Sequence, residues 1–262
     1  MQTLTLERDG DLAVITLRNP PVNAFSAQLG RDLRDALHDV ATGDYRALLT
    51  RAEGANFCAG ADVSVFVGKN RRSGAGLVAD VLNLIEMIEA LPIPTVVAVQ
   101  GLAIAAGMEL MLAHDIAIVA EGAQIGQIEA MIGTTTLAGG AQRIAARAGV
   151  ARAKQMVFEA RRYDAATLER WNIVNMVVPD AALDEKARAY AQRLAQGPTA
   201  AHAVTKSVIN AAGRAAIAAG DEALRAGAPI LFETGDKQRA VAAFIEQGSR
   251  AFASGTLHYE GS

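Results

Sequence analysis

Four short segments of this chain are apolar on both faces rather than alternating: Leu12 to Leu17, Arg46 to Arg51, Thr95 to Gln100 and Ile116 to Ala120. A strand with no polar face must be covered on both sides, which is the situation of strands in a parallel sheet. Between these segments the period changes. Ser26 is a good N-cap for a helix carrying Leu29, Leu33, Leu37 and Val40 at three- and four-residue spacing. A second helix carries Leu77, Val81, Leu84, Ile85, Ile88 and Leu91 until Pro92 and Pro94 stop it. Ile104 to Ala113 reads as a third, short helix. Strands alternating with amphipathic helices predict an α/β fold with a mostly parallel, helix-covered sheet.

From about Ala138 the pattern becomes nearly all helical, apart from a strand over Ile173 to Val178. Alanine-rich helices are expected over Asp180 to Gln196, Pro198 to about Gly213, and Asp236 to Gln247. Gln196-Gly197-Pro198 is the nearest thing to a boundary, so the chain divides into a core at 1–196 and a helical region at 197–262. The alanine faces fit packing on another subunit and equally fit plain helix propensity.

Several function classes are excluded early. The net charge is −3 and the densest basic run is Lys69, Arg71 and Arg72, so nucleic-acid binding has no electrostatic support. One cysteine, Cys58, permits no intrachain disulfide. Four histidines, His38, His114, His202 and His258, show no metal-ligand spacing with it. The start, MQTLTLERDGDL, lacks the apolar core of a secretory signal, and charged or polar residues interrupt every long apolar stretch. A reduced, cytoplasmic protein with no bound metal and no membrane span is expected.

Three segments are candidates for chemistry. Phe57-Cys58-Ala59-Gly60-Ala61-Asp62 is a small-residue loop after a buried strand, where backbone can approach a ligand closely. Gly101 to Leu110 takes a strand into a helix through Ala103, Ala105, Ala106 and Gly107. First-turn N–H groups there have no helical partner and suit a developing oxyanion. Glu109 stands three residues after Ala106, on the same face. Gly126-Gln127-Ile128-Glu129 places a second carboxylate in an apolar, glycine-flanked segment before Gly133 to Gly140. Read singly, the loop is an ordinary turn, Glu109 a helix-dipole carboxylate and Glu129 a surface acid. The glycines match neither a dinucleotide fingerprint nor a phosphate-binding lysine loop, and no G-x-S-x-G elbow occurs. Cys58 reads as a small buried hydrophobe rather than a nucleophile paired with His114.

Taken together, Pro21-Val22-Asn23-Ala24, FCAGAD at 57–62, GLAIAAGMEL at 101–110, GQIEAMIGT at 126–134 and AGGAQR at 138–143 resemble the enoyl-coenzyme A hydratase/isomerase superfamily, the crotonases. The resemblance runs from about residue 10 to residue 250 and is specific in the joint order and spacing of its pieces. It implies a spiral of β-β-α units with a helical C-terminal region that forms trimers, often paired as hexamers. It implies an acyl-coenzyme A thioester as substrate, with coenzyme A part of that substrate and no separate cofactor. Ala61 and Ala106 match the two backbone donors that polarise the thioester carbonyl. Glu109 and Glu129 match the two glutamates of the hydratases. Val22, Ala24, Ala59, Ala61, Asp62, Val63 and Ala106 match positions that line the coenzyme A site.

Hydration of the C2=C3 bond is the function these matches imply, with Glu109 on the water and Glu129 on the C2 proton. Double-bond isomerisation and non-catalytic acyl-coenzyme A binding are the alternatives. The departures are Ala106, where glycine is more common, and Thr136-Leu137, where a Pro-Gly pair is usual. Trp171-Asn172 stands where a Gly-Leu pair is common, and Thr234 to Phe244 resembles the family's closing helix.

Overall fold

The computed structural model describes residues 1–252, so His258 and the end of the 197–262 region lie outside the described residues. The principal sheet has six strands. They are β1 (Leu4–Asp9), β2 (Leu12–Leu17), β3 (Ala47–Ala52), β4 (Thr95–Val99), β6 (Ile116–Ala120) and β9 (Met176–Val178), adjacent in that order. Only the β1–β2 pair is antiparallel. A second sheet joins β5 (Leu102–Ile104), β7 (Gln124–Gly126) and β8 (Tyr163–Asp164).

The expected spiral is visible in how the chain visits the two sheets. β3 leads to Cys58, β4 to β5, and β6 to β7. In each turn the first segment joins the principal sheet and the second joins the small one. Cys58 bridges Ala103 in parallel, and β5 pairs with β7 in parallel.

Both faces of the principal sheet are buried, as the unbroken apolar strands require. Ala13, Ile15, Leu48, Val97 and Val119 pack on the side of helices α1 (Ala27–Thr42) and α2 (Arg71–Ala90). Leu12, Val14, Leu49, Val96 and Ile118 pack on the other side against Leu183, Ala187, Ala191 and Ala195. These last four form one stripe of helix α7 (Leu183–Ala195), small enough to let it lie close on the strands. Ser26 caps α1 by accepting from the Leu29 N–H, and Leu29, Leu33, Leu37 and Val40 are all buried.

The structure corrects several expectations. Ile104 belongs to β5, not to a helix, because its segment pairs with β7; helix α3 (Ala106–Leu112) starts only after Ala105. β1 is a strand that the sequence pattern hid, since Glu7, Arg8 and Asp9 leave it half exposed at the sheet edge. The Ile173 to Val178 strand shrinks to β9, with Ile173 and Val174 buried in the preceding turn. Leu77 and Val81 face a cavity and a separate apolar cluster. The remaining helices are α4 (Gly140–Ala148), α5 (Val150–Glu159), α6 (Ala165–Arg170), α8 (Thr199–Gly227) and α9 (Gly235–Gln247). α8 runs well past Gly213, since one interior glycine is not enough to end a helix.

Candidate active site

The site is set by backbone register. Cys58 bridges Ala103, with Cys58 N–H donating to Leu102 O at 3.0 Å and Ile104 N–H donating to Cys58 O at 3.1 Å. Ala61 and Ala106 each lie three residues beyond that bridge along the two segments it joins. On its other edge the Ala61 segment pairs with Phe25. Phe25 N–H donates to Gly60 O at 2.7 Å and Asp62 N–H to Phe25 O at 3.1 Å. In that parallel pattern the Ala61 N–H faces away from Phe25, toward the cavity that Ala61 lines.

Ala106 is the first residue of α3, so its N–H has no intrahelical acceptor. The turn that aims it depends on Ala105, held at φ 50° and ψ −120°, a conformation costly for a residue with a Cβ. Gly107 is required by close approach: a Cβ there would lie 2.1 Å from Cys58 O. Among the described residues neither the Ala61 nor the Ala106 N–H has a backbone acceptor. The alanine at 106 therefore leaves the donor in place, because the residue's dihedrals are helical.

Glu109 projects from the same short helix and is 2% exposed; Glu129 begins the turn after β7 and is 7% exposed. The surface reading of Glu129 is thus replaced by a buried one. Glu109 Oε1 accepts from Ala138 N–H at 2.8 Å and from Gly140 N–H at 2.9 Å. Burial drives the Glu109 carboxyl up to about 7, against the pull of those two amides and of the Arg143 charge. Burial also drives Glu129 well above the ordinary carboxylate range, and the nearby Glu109 charge pushes it further. One end of the Gln127 side-chain amide lies 2.6 and 2.9 Å from the two Glu129 oxygens, within hydrogen-bond reach of the carboxyl in either protonation state. The pair is therefore unequal. The Arg143 charge favours ionised Glu109, so Glu109 ionises first, and Glu129, raised further by the Glu109 charge, keeps the proton.

Both glutamates, Ala61 and Ala106 line one cavity of about 1360 Å³, together with Ala59 and Val63. Apolar residues such as Phe66, Leu77, Ile132 and Leu137 form much of its wall, and Arg31, Arg34 and Lys69 also line it. Val22, Ala24 and Asp62 are not among the lining residues. Val22 O and Ala24 O accept from Ala59 N–H and the Asn19 side chain, and Asp62 caps the turn at 63–66. They brace the loops that form the wall. Among the described residues no group of three or more His, Cys, Asp or Glu is arranged to hold a metal, and no helix is long and apolar enough to cross a membrane. Cys58 is fully buried with its thiol pushed up to about 12, which removes it as a nucleophile. His114 is also buried, its ring bonded to Leu110 O and Thr50 Oγ1.

The amides of Ala138 and Gly140 that hold Glu109 were not singled out by sequence reasoning, nor was Arg143. Arg143 pairs with Glu89 through two bonds of 2.8 and 2.9 Å and with Asp221 at 3.3 Å, tying α4 to α2 and α8. The signal was present in AGGAQR: a Cβ at Gly140 would meet Glu109 Cγ at 3.0 Å and press on the Gln127 side-chain amide.

The chain is similar to known proteins in sequence and in fold. The family model described as enoyl-CoA hydratase/isomerase matches residues 7–255. A probable enoyl-CoA hydratase of Rhodobacter capsulatus is 35% identical over 210 residues, 80% of this chain and 81% of that protein. The short-chain-enoyl-CoA hydratase of Clostridium acetobutylicum is 29% identical over 255 residues, 94% of this chain and 96% of that one. The crystal structure of an enoyl-CoA hydratase from Mycobacterium avium subsp. paratuberculosis superposes with a TM-score of 0.85 at 25% identity, covering 92% of this chain and 98% of the other.

Proposed function

Because the chain belongs to the enoyl-coenzyme A hydratase/isomerase family, we propose that it adds water across the C2=C3 bond of a 2-enoyl-coenzyme A thioester. The observation that carries this reading is the unequal pair of buried carboxylates in one cavity with two unpartnered backbone donors.

Attack of water at C3 moves charge onto the thioester oxygen. The Ala61 and Ala106 N–H groups receive that charge, a term worth about 10²–10³ in rate for each donor lost. Glu109, the readier to ionise, takes the proton from water. Glu129, which keeps its proton, delivers it to C2. The Ala138 and Gly140 amides bind one Glu109 oxygen and leave the other for water. Since Glu109 gains a proton as Glu129 gives one up, the pair carries a single negative charge throughout.

Assembly as a trimer or hexamer is part of the same proposal. The exposed Val204, Val208 and Ile209 lie at helical spacing on α8 and give an apolar face to bury. A cytoplasmic setting goes with it.

The test is loss of enoyl-thioester absorbance with crotonyl-coenzyme A. Glu109→Gln and Glu129→Gln should each lower kcat by about 10²–10⁴. Full hydratase activity in Glu129→Gln would sink the assignment. Turnover of a 3-enoyl thioester that survives Glu109→Gln would instead make the protein an isomerase.

A further inference from the structure

Lys237 is 2% exposed, yet among the described residues no carboxylate lies within ion-pair distance of its ammonium group. It sits near the start of α9, its backbone packed on Gly133, where a Cβ would fall 3.0 Å from Lys237 N. The side chain passes beneath the turn that follows Glu129. Its Nζ lies 3.4 Å from the centroid of the Phe232 ring, 4.6 Å from that of Phe66, and 3.4 Å from Thr134 Oγ1. The two rings pack edge-on, 6.0 Å apart. Phe66 and Thr134 both line the cavity, in a wall otherwise built from Val65, Ile132 and Leu137.

This arrangement has a chemical direction. An ammonium group offers three donors and no acceptor. When charged, Lys237 holds the Thr134 oxygen as an acceptor, and the Thr134 O–H is then a donor with no acceptor among the described residues. A cation without an anion is costly in an apolar wall. Burial lowers the Lys237 ammonium from 10.5 to about 7, and a carboxylate brought to the site would favour its charged form again. Thr134 N–H donates to Glu129 O at 3.2 Å, so this hydroxyl stands one tight turn from the reacting carboxylates.

We propose that the preferred substrate is a short 2-enoyl thioester whose acyl chain ends in a carboxylate, bound by the Thr134 hydroxyl with the Lys237 charge behind it. The proposal rests on the acyl-thioester reading of the cavity. It names the distal end of the acyl chain, which the two glutamates and two backbone donors leave unspecified.

The experiment compares two matched pairs of coenzyme A thioesters, differing only in whether the chain ends in carboxylate or methyl: glutaconyl against 2-pentenoyl, and 2-hexenedioyl against 2-hexenoyl. The wild-type enzyme should favour the carboxylate member of at least one pair by about tenfold or more in kcat/KM, the range of a hydrogen bond to a charged group. Lys237→Met and Thr134→Val should each abolish that preference by slowing the carboxylate substrate, with the methyl-ended substrate within about threefold of wild type. A methyl preference in both pairs overturns the proposal. So does an equal loss on both members, which would make Lys237 only a clamp between α9 and the two phenylalanines. If none of the four thioesters turns over, the hydratase reading fails. Calorimetric titration with glutaconyl- and pentenoyl-coenzyme A then decides separately: tighter binding of the carboxylate, lost in Lys237→Met, upholds the carboxylate pocket, and equal binding rejects it.

Discussion

Glu109 and Glu129 share one buried site, but Glu109 accepts from the Ala138 and Gly140 amides with the Arg143 charge nearby, and its own charge is part of what keeps the proton on Glu129. A base and an acid thus arise from the same side chain by environment alone. The asymmetry has consequences for pH that a symmetric pair would not show.

The profile of kcat/KM against pH should be bell-shaped, rising as Glu109 ionises near 7 and falling as Glu129 loses its proton at higher pH. Any residual activity of Glu129→Gln should lack the falling limb. A wild-type profile that does not rise through about pH 7 and fall above it would contradict the assignment of roles.

Stability should show the same pair. Both carboxyls bind their protons more tightly in the folded protein than at the ordinary value of 4.5. Their contribution is complete below about 4.5 and is lost as pH rises through about 7 for Glu109 and higher still for Glu129. Lys237 acts oppositely, its contribution growing as pH rises from about 7 to 10.5. The difference between wild type and Glu129→Gln isolates the carboxylates. The variant should lose less Tm than wild type between pH 5.5 and 8.5, each kcal/mol showing as roughly 2–4 °C in a chain of this size. Parallel Tm curves would count against the buried, proton-holding pair.

Gly107→Ala should disable the backbone donor without touching a carboxylate. Its new Cβ would lie 2.1 Å from Cys58 O, so the start of α3 must move. A loss of about 10²–10³ in kcat is expected, together with about 1–3 kcal/mol of stability, read by steady-state kinetics and urea unfolding. Undiminished kcat would place the oxyanion elsewhere.

Arg143→Met should cost about 3–5 kcal/mol, because Glu89 and Asp221 would be left without their buried partner. The loss also removes a positive charge that favours ionised Glu109, so the rising limb of the pH profile should move to higher pH. Arg143→Lys retains the charge and should keep that limb near its wild-type position. A limb that does not move in either variant would show that Arg143 acts on stability alone.

Ala191→Leu provides a control on the opposite face of the sheet. The α7 stripe fits the strands because its residues are small, and overpacking there costs about 1–3 kcal/mol. Tm should fall while kcat at low temperature stays within about twofold, since no α7 residue lines the cavity.

The principal sheet was legible because five of its strands carry long apolar residues at consecutive positions, and α1 because its cap and its stripe agree. The second sheet was not. β5, β7 and β8 are two or three residues long and are fixed by partners far away in sequence, which no local period records. The site divides in the same way. Ala61, Ala106 and the two glutamates were reachable through the resemblance carried by small-residue segments and carboxylates in a fixed order along the chain. The amides of Ala138 and Gly140, the Gln127 contact and the setting of Lys237 depend on loops meeting in space. Glu129 illustrates the gap most directly: its neighbours in sequence do not distinguish an exposed acid from one buried beside a second carboxylate.

Because the two donors are main-chain groups counted off from the Cys58–Ala103 bridge, the proposed oxyanion site is encoded by chain length more than by side-chain identity. Many single substitutions at 59 or 104 leave the count intact. Deleting or inserting one residue between 58 and 61, or between 103 and 106, moves the donor out of register with the cavity. Gaps in these two stretches are therefore a sharper mark of a relative that has abandoned this chemistry than any exchange of one small residue for another.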